Sequence, residues 1–470
     1  MEIMISTYIK NKVNPYLYQL FPQLAENGVP FELDPLKLVW DSRRFDLATK
    51  YTYLKYKNKY SNLSWPKALY QNHIHAFTEG SFTEGDGSKS NLSDYIKNFE
   101  ILEEKFKSNL FDKEKSYIPF KNNINTDGSH RISLAAYYHK KLVGVPLAAL
   151  KEPNYNYVYF RERKQENWVN DFVFLQHVLH NQNMRIIHVH PKAKLKTQQI
   201  TEILAQHGIR VEYDKTIKLN KFAHGLYVRE LYKNESWIGS STNNYEGAFN
   251  HAAHSYSYFG KLRIFFVKED RPDVLRKIKT TIREICNIGN YSVHINDTHN
   301  ETVALAHILL NDNSISFINE CHNNITFWKT DKFVKYFANT PNITEKSDDF
   351  IFVGSLPLAM TGLRENRDTD IICASEQLTT IKEILPDIDC HNQYMKQFNF
   401  NIIELLTDPR QSYYWQGFKF LSLQNVWKLK RQRKEFKDYL DFTLSKTSSY
   451  IPLPTNKIYH LATRLKFKIS

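Results

Sequence analysis

Apolar positions follow three different rhythms along the chain, and each change of rhythm marks a change of module. Between residues 1 and about 165, helical stretches alternate with polar turns, the most unusual being the loop EGSFTEGDGSKSN from Glu79 to Asn91. Three of the chain's 15 glycines fall in that loop, which suits either close backbone approach to a ligand or a plain connector. From about Met184 the text becomes strand, helix, strand: RIIHVH, then KTQQITEILAQHG with Ile200, Ile203 and Leu204 at helical spacing, then IRVEYDKTIKL. The strand LRIFFV, the helix PDVLRKIKTTIREI, the segment YSVHIND and the helix NETVALAHILLN follow, and the module closes near Asn324. A third pattern starts around Asp348 with the strands DDFIFVGS and DTDIICAS and a helix from Gln377 to Ile384. A strand FNFNIIELL and a long helix from about Leu423 to Leu444 complete it. No repeat or low-complexity tract links the three, so they read as different modules of an α/β and α+β multidomain chain, spanning 1–165, 180–325 and 345–462.

Length supports that division, because 470 residues exceed one ordinary core. A composition of 42% hydrophobic and 14% aromatic residues supplies ample core material and argues against wholesale disorder. Lys and Arg outnumber Asp and Glu by 63 to 50, which favours anionic partners: nucleotides, phosphorylated sugars, nucleic acid or an acidic membrane surface. The basic run from Lys428 to Lys434 is in its plainer reading a solvated helix face. Four scattered cysteines fit a reducing compartment, and the N-terminus lacks the layout of a signal peptide. No apolar run reaches about 18 residues, so no membrane span is expected and the working location is the cytoplasm.

In the third module the apolar strand IFVG delivers Gly354 and Ser355 into a turn that opens the helix LPLAMTGL, whose free N–H groups suit phosphate. After it comes Asp368-Thr369-Asp370, two carboxylates at a spacing that lets them share divalent cations. Glu404 is the chosen third carboxylate, with Asp389 and Asp408 as competitors. Strand, Gly-Ser, helix and Asp-x-Asp in this order resemble the minimal nucleotidyltransferase family related to DNA polymerase β, over about Glu345 to Ala462. The resemblance implies metal ligation by Asp368, Asp370 and Glu404, Mg²⁺ or Mn²⁺, and ATP or another NTP as substrate. GFKFLSLQNVWKLKRQRKEFKDYLD looks like the family's closing helix, with Lys430 and Arg433 facing a triphosphate and Lys437, Asp438 and Asp441 at helical spacing. The plainer alternatives are aspartates that cap a turn, or a module without catalytic activity.

In the middle module His294 stands at a strand edge near Asp297 and Glu301, and an imidazole so placed can accept a phosphoryl group. Thr281-Ile282-Arg283, then Val293-His294-Ile295-Asn296-Asp297-Thr298, resemble the active-site text of nucleoside diphosphate kinases. That implies a ferredoxin-like domain with His294 as acceptor and Arg283 as phosphate clamp. His190 stands where the family has lysine, and Ile295 where it has glycine, so the resemblance carries the fold further than the activity. His188, His190, His294 and His299 match no standard metal-ligand spacing. The alternative for His294 is a hydrogen-bonded turn histidine, or a scaffold that binds nucleotide without transfer.

In the first module Asp127-Gly128-Ser129-His130-Arg131 leads into the helix ISLAAYYHKK, a glycine turn at a helix start with His130 and Arg131 adding positive charge. It looks like the ParB/sulfiredoxin-like family over roughly Leu33 to Leu150. That resemblance implies a phosphate cradle of Gly128, Ser129, His130 and Arg131. It also gives Asp127 the kinase-type role of activating a hydroxyl or holding Mg²⁺, with Glu84, Asp86 and Lys89 completing the site. Ser129 stands where sulfiredoxins have cysteine, which disfavours redox chemistry. The plain alternative is an Asp-Gly turn capping a helix.

Together these readings point to a multidomain phosphotransferase and nucleotidyltransferase that phosphorylates, nucleotidyl-activates or both a small alcohol, sugar or sugar phosphate for bacterial surface-glycan assembly. The alternative is a nucleotide-sensing or nucleic-acid-binding ParB-like regulator with inactive modules. The lack of a helix-turn-helix signal and of a basic tail disfavours nucleic acid as partner. The sequence leaves the acceptor, the base and the oligomeric state open.

Overall fold

A computed structural model describes residues 6–60, 62–85, 87–322, 329–330, 333–334, 349–366, 368–385 and 388–447. The fold is mixed α/β, with sheets of four, four and five strands and one two-stranded pair. The chain forms two compact units that meet in sequence between Asn181 and Gln182.

In the first unit the strand Leu142–Pro146 lies inside a four-stranded sheet, antiparallel to Phe31–Leu33 and parallel to Ile118–Lys121. Helix Phe45–Lys59 packs against helices Trp65–Phe77, Ser129–Tyr137 and Asn167–His180, and helix Leu92–Lys107 packs against Ser129–Tyr137. Their starts obey local chemistry: Pro66 occupies the first turn of one helix, and the Asn91 side chain accepts the Asp94 N–H at the start of another. The loop from Glu79 to Asn91 folds back through the Glu84 N–H to the Lys89 carbonyl (3.0 Å) and a Glu84–Lys89 ion pair; Asp86 lies outside the described residues.

In the second unit the first sheet has the order Val293–Ile295, Met184–Val189, Leu262–Lys268, Val211–Ile217, with every neighbour antiparallel. Strand alternation sends Ile187, Val189, Phe265, Val267, Val293 and Ile295 toward one core, where they meet Ile200, Ile203 and Leu204 of helix Thr197–Gln206 and Leu275, Ile278 and Ile282 of helix Pro272–Cys286. His188 and His294, opposite each other in register, point to the other face. A helix pair, Lys221–Leu231 and Glu246–Ser255, is inserted between the second and third strands in sequence.

The second sheet of this unit runs Asp389–Cys390, Asp370–Cys373, Phe350–Phe352, Phe418–Leu421, Ser412–Trp415. Phe350–Phe352 pairs antiparallel with Asp370–Cys373 and parallel with Phe418–Leu421. Helix Asp312–Glu320 ties the two sheets: Asn311 Nδ2 donates to the Pro409 and Ser412 carbonyls at 3.1 and 3.2 Å, and the Phe317 ring stacks on Tyr413 at 4.3 Å.

Three sequence expectations need correction here. FNFNIIELL is not a strand, because the Asn401 side chain accepts the N–H groups of Ile403 and Glu404 and starts the helix Ile402–Thr407. The expected long helix is two, Leu423–Arg433 and Phe436–Thr447, separated by Lys434 at φ 56°. Residues Phe418–Leu421, placed in the closing helix, instead form a strand of the hairpin whose turn holds Gln416 and Gly417 at φ 52° and 84°.

Candidate functional site

The strand Phe350–Phe352 ends in Gly354, which takes φ 68°, and Ser355 then opens the short helix Leu356–Met360. Gly354 is required twice over: its backbone is left-handed, and a Cβ there would lie 2.0 Å from Asp370 Oδ2. Asp370 heads its strand and is buried, while Asp368 sits exposed in the bend before it; Arg367 lies outside the described residues. Asn366 links the two halves, since Ser355 Oγ donates to its Oδ1 and its Nδ2 donates to the Asp368 carbonyl. Gly354, Ser355, Asp368 and Asp370 thereby line one cavity of about 320 Å³ with His391, Tyr394, Lys430, Arg433, Glu435 and Lys437.

Burial pushes the Asp370 carboxyl above its usual range; His391, at 3.2 Å from Oδ1, opposes this, and Asp368 and Asp389 reinforce it. A carboxyl in that state gains from a nearby cation. Lys430 and Arg433 line the cavity, but neither presents a free charge. Lys430 Nζ lies 3.1 Å from Asp438 and 2.6 Å from Asp441, and Arg433 holds Asp438 and donates to the Tyr394 hydroxyl at 3.1 Å. Arg364 completes the group, 3.0 Å from Asp441. Lys437 is half-exposed and pairs only at the surface, with Glu435 at 3.0 Å.

The third carboxylate is not where the sequence placed it. Glu404 lies in the first turn of helix Ile402–Thr407 and does not line the cavity. Asp408 is buried against Arg410, and Asp389, opposite Asp370 in the sheet, faces solvent. Among the described residues no group of three or more His, Cys, Asp or Glu side chains is arranged to hold a metal ion. Asp368 and Asp370 therefore fit a divalent cation only if ligand oxygens or water fill the remaining positions, which is how Mg²⁺ usually binds.

In the first unit, Gly128 at φ 81° caps helix Ser129–Tyr137, and the Asp127–Arg131 turn lines a cavity of about 740 Å³ with Arg44, Asp46, Lys50, Glu84, Lys89 and Tyr155. Two expectations fail in detail. Arg131 is engaged, donating to Asp127 at 3.1 Å and to Ser116 at 2.6 Å. His130 turns toward the aromatic core, its Nε2 2.8 Å from the Tyr70 hydroxyl; burial, then Lys50 and Lys89, hold it neutral at pH 7, so it adds no positive charge.

Beneath this turn lies a charged network that the sequence reading missed. Arg44 grips both oxygens of Asp46 at 2.8 Å and donates to the Asn125 carbonyl, while Lys50 Nζ sits 3.4 Å from Asp46 and 3.3 Å from His73 Nε2. All four side chains are buried. Burial lowers the Lys50 ammonium below its ordinary range despite Asp46. For Asp46, burial acts upward, but Arg44 and Lys50 outweigh it and leave the carboxyl well below the usual range. The segment RRFDLATK gave no warning, because only the fold brings His73 and Asn125 to it.

The third candidate, His294, meets the Tyr232 ring at 4.6 Å and the His188 ring at 5.9 Å. Burial, then His188, Lys279 and Arg283, hold it well below the usual histidine range, so it is neutral at pH 7 with two cations nearby. Arg283 thus lies electrostatically close to His294. Glu301 instead caps its own helix, accepting from the Asp297 N–H at 3.0 Å.

No protein-family model, curated protein or solved structure matches this chain.

Two outcomes follow from this geometry. Gly354→Ala should lower stability by about 1–3 kcal/mol through backbone strain and displace the Asp370 carboxylate, visible as a lower urea midpoint. Burial also lowers His188 and His224 to about 3 and His251 to about 4 from an ordinary 6.5. The unfolded chain then binds more protons below pH 6.5, so stability is present above that value and falls progressively toward pH 4. Melting temperatures from pH 7.5 to 4.5 should show the loss, and His188→Gln should flatten it.

Proposed function

We propose that the C-terminal cavity binds the phosphates of a nucleoside triphosphate and that the chain is a nucleotidyltransferase acting on a small sugar phosphate or polyol phosphate. The observation that carries this reading is the convergence of the Gly354–Ser355 turn with Asp368 and Asp370 on one cavity. Acceptor phosphate oxygen would attack the α-phosphorus, the bond to the β-phosphate oxygen would break, and pyrophosphate would leave. A bound Mg²⁺ or Mn²⁺, held by Asp368 and Asp370, would supply charge neutralisation for the attacking and leaving oxygens. The chain's own part is to position: Asp368 and Asp370 hold the cation, the Gly354–Ser355 turn offers N–H groups to phosphate, and Lys437 closes over the anion. Because Lys430, Arg433 and Arg364 already have carboxylate partners, a polyphosphate would enter only together with its cation.

The first-unit cavity suits a preceding phosphorylation of the same alcohol or sugar. Asp127 or Lys50 would take up the hydroxyl proton there, and ATP would serve as donor. On the reading of the middle module as a ferredoxin-like, nucleoside diphosphate kinase-type domain, which its antiparallel four-stranded sheet supports, His294 would accept phosphate. Such a sequence of steps yields an activated building block of the kind surface-glycan assembly consumes, and we place it in the cytoplasm. A second reading, nucleotide sensing without turnover, is favoured by Glu404 standing outside the cavity and by the paired state of Lys430.

Purified protein with Mg²⁺, each NTP and a panel of sugar and polyol phosphates should release pyrophosphate. Asp368→Ala with Asp370→Ala should reduce the rate by at least about 100-fold. Equal activity in the double variant would sink the assignment, and tight NTP binding without turnover would establish the sensing alternative.

A further inference from the structure

Two segments of the second unit, around residues 190 and 260, carry features that the nucleotide sites do not use. They are fastened together. The Lys192 N–H donates to the Ser255 carbonyl at 3.0 Å, and the Arg263 guanidinium donates to the carbonyls of Ala193 (2.9 Å) and Leu195. A Cβ on Gly260 would lie 2.1 Å from the Pro191 carbonyl oxygen, so only glycine permits this approach.

Along the first segment burial alternates. Pro191, Ala193 and Leu195 are inside, while Lys192, Lys194 and Lys196 are exposed, so three ammonium groups reach solvent from one short stretch. Lys261, exposed on the second segment, adds a fourth. Next to it stand Tyr258 and Phe259, 76% and 92% exposed, their rings edge to face with centroids 5.2 Å apart. Neither residues 184–201 nor residues 247–268 contain an aspartate or glutamate. None of the four lysines has a carboxylate partner among the described residues.

We propose that this edge is a peripheral membrane-contact surface, in which Tyr258 and Phe259 enter the headgroup region of an anionic bilayer while Lys192, Lys194, Lys196 and Lys261 bind its phosphates. A hydrophobic wedge or a basic strip alone gives only weak, reversible attachment; the two side by side give a stable one. Aromatic side chains suit the interface, being apolar over most of their surface, and lysine ammoniums act as point charges for lipid phosphate. Single-stranded nucleic acid is the less suited partner. It needs ring faces spaced along a basic groove, whereas these two rings pack edge to face against each other at a tip. No described helix is long and apolar enough to cross a membrane, so the contact would be at the surface.

Flotation of the full chain with vesicles tests this. It should rise with vesicles of phosphatidylcholine mixed with phosphatidylglycerol, stay down with phosphatidylcholine alone, and lose binding as salt increases. Tyr258→Ser with Phe259→Ser, and separately Lys192→Gln, Lys194→Gln and Lys196→Gln together, should each weaken binding by at least about tenfold. Because these side chains are exposed, both variants should keep the parental melting temperature, which separates lost contact from lost fold. The proposal is overturned if anionic vesicles do not bind, if the variants bind as well as the parent, or if these residues serve single-stranded DNA in a chain that ignores vesicles.

Discussion

The approach of a buried carboxylate to a glycine backbone governs the C-terminal site. Asp370 Oδ2 occupies the space where any other residue at 354 would carry its Cβ. That single contact fixes two things: the left-handed turn after Phe352 and the start of the strand Asp370–Cys373. The sheet enforces it from both sides, since Val353 N–H donates to the Asp370 carbonyl at 2.9 Å and Asp389 pairs opposite. Electrostatic strain stays at the same point, because burial and two neighbouring carboxylates raise Asp370 while His391 relieves it only in part.

Both units also bury charge, and in each the charge is organised rather than isolated. Arg44, Asp46 and Lys50 form one group, and Lys430, Asp438, Asp441, Arg364 and Arg433 another. Such networks add little net stability over apolar packing, but removing one member leaves an unpaired buried charge and costs about 3–5 kcal/mol. Their effect is to hold geometry. The first keeps a lysine of lowered proton affinity beneath the Asp127–Arg131 turn, and the second locks helix Leu423–Arg433 to helix Phe436–Thr447 across the break at Lys434.

Much of the strand framework was legible because buried strands announce themselves as short apolar runs. RIIHVH, LRIFFV and IFVG all became strands or strand ends, and the amphipathic stretches between them became helices. The Gly-Ser and Asp-x-Asp pairs could be placed because they flank such runs. What failed were elements decided by one polar side chain or one backbone angle: Asn401 converts an apparent strand into a helix, and Lys434 breaks an apparently continuous one. Residues such as His391 and His73 gave no local signal at all, since their partners are distant in the chain, and Arg44 and Asn366 join near neighbours, Asp46 and Asp368, to the distant Asn125 and Ser355. Charges read as free in the sequence, Lys430 and Arg131 above all, proved to be matched by carboxylates one or two helical turns or a helix break away.

The central claim is that phosphate, cation and the Asp368/Asp370 pair meet at the Gly354 turn. A crystal structure of the chain grown with Mg²⁺ and an NTP analogue that resists α,β cleavage tests it most directly. The account predicts phosphate density within hydrogen-bond distance of the Gly354–Ser355 backbone and a cation bridging it to Asp370. Nucleotide bound elsewhere, with Asp370 still closed on His391 and no cation beside it, would contradict the account.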